Sequence, residues 1–124
     1  MNTSHLAHSA YGQTTSPVRT DRGMEHAIFE QINARLTQAS KPGSSVKEKI
    51  SAIHDNRRLW TLLASDVASE DNLLPQALRA QIFFLCEFTL AHSRKILNDG
   101  VSIAPLIEVN TAVMRGLRGE AGSA

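Results

Sequence analysis

Apolar residues return at helical spacing along nearly the whole of this chain, and strand-like alternation competes nowhere. Met24, Ile28, Ile32 and Leu36 recur every fourth residue, with Ala27 and Ala39 beside them and Phe29 widening the stripe. Glu25, Glu30, Gln31 and Arg35 fall on the other side, toward water. This predicts a helix from about Asp21 to Ala39, with Thr20 or Asp21 able to accept from its free N–H groups. Ser40-Lys41-Pro42-Gly43-Ser44-Ser45 stops it, because proline lacks the N–H to continue and glycine tolerates the turn. So short a connection predicts an antiparallel neighbour.

A second helix is predicted over Val46–Ala68, with Ser44 or Ser45 as cap and Glu48 placed to complete a capping box. Val46, Ile50, Ile53, Trp60, Ala64 and Val67 follow alternating steps of three and four. Arg57 occupies one step of that series, where a charge must snorkel, pair with an acid or meet a partner. Leu73-Leu74-Pro75 opens a third helix running to about Asn98, and Asp99-Gly100 ends it with a glycine free to take the left-handed cap. From Ile82 to Leu90 it is apolar almost all round, which predicts a central helix wrapped by the others. The last helix is predicted from Ser102 to about Leu117, with Pro105 in its first turn. Asn110 sits amid its apolar face, which predicts a satisfied core amide fixing how the helices register.

The expected fold is all-α: one small bundle of about four helices over residues 19–118. Residues 1–18, rich in Ser, Thr, Gly and Gln, are expected to form a mobile arm, and residues 119–124 a flexible tail. Tyr11 is the sole tyrosine, and it reads either as a loosely lying surface residue or as an anchor pinning the arm.

The composition excludes several function classes. A net charge of +1 builds no field to steer the chain onto nucleic acid or an anionic membrane. No stretch approaches the ~20 apolar residues of a membrane span. The N-terminus has neither the basic start nor the apolar run of a signal peptide, and the lone Cys86 fits a reducing compartment, so a cytoplasmic protein is expected. His5, His8, His26, His54 and His92 show no metal-ligand spacing, and no nucleophile elbow or phosphate loop is present. No metal, cofactor or catalytic residue is expected, and His92 reads as a core or rim histidine with a hydrogen-bond partner.

The densest stretch is Asp55-Asn56-Arg57-Arg58-Leu59-Trp60-Thr61-Leu62-Leu63, with the only tryptophan. Arg57 and Arg58 point about 100° apart on a helix, so they make no flat phosphate clamp. They read as one solvated and one paired with Asp55 or Asp66, or as part of an interface, where Arg and Trp serve as anchors.

These residues also carry a resemblance. Ala10-Tyr11, Ser16-Pro17-Val18-Arg19, Glu25 with Phe29, Asn56-Arg57-Arg58-Leu59-Trp60-Thr61 with Asp66, Asn72-Leu73-Leu74-Pro75, Leu78-Arg79-Ala80-Gln81-Ile82, Asn110 and Met114-Arg115-Gly116-Leu117 resemble the FlaF family of flagellar biosynthesis regulators. The likeness runs from about Ala10 to Leu117, and the Asn-Arg-Arg-Leu-Trp block is its most specific part. The resemblance implies a small cytoplasmic factor that promotes flagellin synthesis and export. It further implies that the factor binds flagellin like a secretion chaperone and acts against a partner regulator, FlbT. A groove for an amphipathic flagellin helix is then expected from Leu59, Trp60, Leu63 and Met114, with Arg57 or Arg58 pairing an acidic group and Tyr11 covering the empty groove. Two other readings stay open: regulation through flagellin mRNA, and an oligomer that titrates a partner such as FlbT.

Overall fold

A computed structural model describes residues 21–117, with side chains given for residues 26–116. Tyr11, His5, His8 and the tail lie outside the described residues. Four helices follow one another: α1 (Asp21–Ala39), α2 (Val46–Ala68), α3 (Gln76–Asp99) and α4 (Ala104–Leu117). The first two agree with the spacing. The last two start later than expected, because a side chain holds each approach in a turn. Asn72 Oδ1 accepts from the Leu74 N–H at 3.0 Å, and Ser102 Oγ from the Ala104 N–H at 3.0 Å.

The helix ends follow local chemistry. Ser45 Oγ accepts from the Glu48 N–H at 3.0 Å, while Glu48 Oε1 accepts from the Ser45 N–H at 3.1 Å. Gly100 takes the left-handed conformation (φ 69°), and its N–H reaches back to Ile96 O.

The helices close into a ring. α2 packs between α1 and α3, α1 also packs on α4, and the α3–α4 seam is the lightest. Phe29 and Leu36 of α1, Ile53 and Trp60 of α2, and Leu106 of α4 fill the centre. Each such side chain contributes about 1.5–3 kcal/mol by leaving water. Phe29 meets the indole edge-on, with centroids 5.6 Å apart at 77°.

The third helix departs from expectation. It is not wrapped by the others: Leu78, Phe83, Phe84, Phe88 and Leu97 are exposed. The reason is geometric, since a helix in a ring of four has two neighbours and buries one face only. Ile82, Cys86, Thr89, Ser93 and Ile96 take that inner face, and the remaining apolar groups turn outward.

Candidate functional site

The interior holds a polar lattice that joins three helices. The Trp60 indole N–H donates to Asn110 Oδ1 at 2.8 Å. The Asn110 amide donates in turn to Asn56 Oδ1 at 2.8 Å and to Asn33 Oδ1 at 3.2 Å. Asn33 Nδ2 donates to Thr111 Oγ1 at 3.2 Å, with a longer contact to Ile107 O. Asn56, Trp60 and Asn110 have no exposed surface, so each bond acts without competition from water. Sliding α1, α2 or α4 by one turn would separate donors from acceptors, leaving buried groups unpaired at about 1–3 kcal/mol each. Asn56 Nδ2 itself has no hydrogen-bond partner. Asn110 is therefore the register-fixing amide its spacing predicted. Asn33 was missed, although it stands four residues after Phe29 and four before Thr37, whose hydroxyl donates to its carbonyl.

This lattice overturns the expected groove. Trp60 is fully buried, and Leu59 and Leu63 join it in the core. They lie on the same side of α2 as Asn56, Ala52 and Val67, the side that faces the other helices. Met114 is half-buried against that core. The central block thus splits as a helix must: Asn56, Leu59, Trp60 and Leu63 go inward, Arg58 is exposed, and Arg57 is half-exposed at the edge. Asp55 does not pair with either arginine. It is held by Arg35 of α1, whose other nitrogen donates to Ser51 Oγ at 2.8 Å. That is the only ion pair among the described residues.

His92 behaves as its position suggested. Its Nε2 meets Ser102 O at 2.8 Å, so that nitrogen must carry the hydrogen, and the ring stacks on Phe88 at 5.5 Å. No cluster of three metal-ligating side chains occurs among the described residues, and no described helix is long and apolar enough to cross a membrane.

Cys86 is buried, with its thiol directed at Trp60 O at 3.6 Å. Burial, and secondarily the nearby Glu87 charge, push the thiol above its ordinary pKa of 9.0. Stability from this shift is fully present below pH 9.0 and is lost as pH rises from there through the higher native value. Thiol-specific reagents are expected to label Cys86 several-fold more slowly in the folded protein than in urea. Equal rates would show that the α2–α3 seam opens freely.

The surface offers a different candidate from the one expected. On α3, Ala77, Gln81, Phe84, Phe88, Ala91 and Lys95 are spaced four, three, four, three and four apart. At about 100° per residue they form one straight seam turned away from the core. Phe84 is 66% exposed and Phe88 37%. The spacing was visible in the sequence, but reading the whole run as buried hid that it contains two faces.

The described residues thus form a ring of helices locked in register from inside, with an apolar seam left facing outward. Three of the residues that carried the resemblance, Asn56, Trp60 and Asn110, form the lock together with Asn33. The chain belongs to the FlaF family: the family model described as "Flagellar protein FlaF" matches residues 7–117, nearly its whole length. It is thus a flagellar protein. No curated protein and no solved structure matches it.

Proposed function

We propose that this FlaF-family chain binds flagellin, holds it soluble as a secretion chaperone does, and so promotes flagellin synthesis and export against an FlbT-like regulator. One observation supports the site: α3 fills the core with one face and still carries Phe84 and Phe88 on another. Such a seam suits an amphipathic helix of a partner, read by anchors at helical spacing. Arg58, and Arg57 at the rim of α2, supply cations for acidic groups flanking that helix. Buried Leu59, Trp60 and Leu63 hold the bundle that presents the seam, with Met114 half-buried against them.

The test is co-elution of purified flagellin with the protein. Phe84→Lys is expected to weaken capture at least tenfold, on the order of a hot-spot residue, while leaving the thermal melt within about 0.5 kcal/mol of wild type. Undiminished capture would move the site elsewhere, and no capture by the wild type would end the flagellin reading. An RNA-binding reading draws on Arg57, Arg58, Arg79, Arg94, Lys95 and Arg115, which are spread over three helices. Retention on flagellin transcript that falls steeply with salt is the result that would favour it.

A further inference from the structure

The geometry points to a second copy of this chain as the occupant of the α3 seam when no other partner holds it, the two α3 helices lying antiparallel about a two-fold axis. This rests on the seam assigned above but not on the identity of the partner that uses it. A two-fold interface must be self-complementary, so each residue on one side needs its match within the same sequence. The seam meets that demand at successive levels. With the axis passing near Thr89 and Leu90, Phe88 lies over Ala91 of the partner subunit, and Ala91 beneath the partner's Phe88. A large group therefore meets a small one twice, as interdigitation requires. Phe84 lies along the methylene stem of Lys95 of the partner subunit. Along the edge, Glu87 comes beside the partner's Arg94, and Arg94 beside the partner's Glu87.

The charges decide the orientation. In an antiparallel pair, residues at the two matching edges face each other, which brings opposite signs together twice. A parallel pair in register would set the two copies of Lys95 against each other across the seam. Glu87 and Arg94 are both exposed, and neither belongs to the ion pair found among the described residues, so both can take a partner in the second copy. Pairing also removes from water a phenylalanine that is 66% exposed. The consequence is regulatory: the docking seam is covered by its own kind until another helix competes for it, and capture of that helix proceeds through a monomer.

The experiment measures mass against concentration by sedimentation or light scattering on the full chain. Wild type is expected to move from 13.5 kDa toward twice that mass as concentration rises. Glu87→Arg and Arg94→Glu, each placing like charges together at two symmetric points, should each raise the dimer dissociation constant about tenfold or more. The double exchange should restore it. Both positions are on the surface, so circular dichroism of each variant should match wild type. A wild type that stays at 13.5 kDa at every soluble concentration overturns the inference. So does a dimer indifferent to both single variants, or one that the double exchange fails to rescue. Flagellin capture is scored separately. A monomeric wild type that still captures flagellin fails this inference alone, and a dimer that captures none fails the flagellin reading alone.

Discussion

Trp60→Ala is expected to cost about 3–5 kcal/mol, the range for removing a large aromatic from a packed core. Three losses combine at this residue. The indole has no exposed surface, so its removal opens a cavity that the surrounding helices cannot fill without moving. The edge-on contact with Phe29 disappears, worth about 0.5–1.5 kcal/mol beyond area. Asn110 Oδ1 loses its indole donor in a dry interior. These terms share one site and do not simply add. Domains are stable by only about 5–15 kcal/mol, so the variant should melt far earlier in urea. Circular dichroism is the probe, since the substitution removes the only tryptophan. Trp60→Phe keeps most of the volume and drops the N–H, so its cost should be about 1–3 kcal/mol, mainly the orphaned carbonyl oxygen. A cost below about 1 kcal/mol for Trp60→Ala would mean the indole is not core. It would return Trp60 to the surface groove that its place beside two arginines suggested. Loss of flagellin capture by Trp60→Ala would report a collapsed bundle, whereas Phe84→Lys tests the contact itself.

The second large effect is expected from Asn110→Asp. The substitution is nearly isosteric, keeps an oxygen for the Trp60 N–H, and deletes both hydrogen bonds that the amide donates. The new carboxylate would face the carbonyl oxygen of Asn33, and it regains a donor only where the Asn56 amide, whose Nδ2 has no partner, turns over toward it. Burial, and secondarily the Asn33 carbonyl, disfavour the anion, so the folded pKa rises above the unfolded value of about 3.9. The sign follows from proton binding. The folded variant holds its proton to higher pH than the unfolded chain, so the stability this group contributes is fully present below about pH 3.9 and is lost as pH rises through the folded pKa. At neutral pH the deficit relative to wild type should be about 3–5 kcal/mol, the scale of an uncompensated buried charge. It should shrink as the pH falls, when a protonated carboxyl regains one donor. Urea melts of both proteins at matched pH values isolate this group from all others. A deficit that does not change with pH would mean the side chain reaches water.

Much of the fold was legible in the residues. The four-step recurrence of Ile28, Ile32 and Leu36, the Ser45–Glu48 box and the Pro42-Gly43 break each depend on contacts within a few positions of chain. Such contacts leave their mark on local spacing. Asn110 was legible for a related reason, because an amide within an apolar face has to be satisfied. The candidate site was less so. Leu59, Trp60 and Leu63 suit a core or a groove equally well in chemical terms, and the Asn-Arg-Arg-Leu-Trp block drew attention as a binding motif. Its asparagine and tryptophan turn inward to hold Asn110, while Arg58 is left in water. α3 was misread in the opposite sense: an apolar helix was assigned to the centre, although a four-membered ring has no central place.

From its amino acids alone, this chain was bound to be helical and broken near Pro42, Asn72 and Gly100. Those properties arise between near neighbours, where periodicity and turn chemistry operate. Which apolar face would be covered, and which asparagines would gather around the one that holds Trp60, depended on residues as far apart as Asn33 and Asn110. Burial is a property of what packs opposite, and the ring of helices supplies a neighbour for one side of α3 and none for the side that carries Phe84.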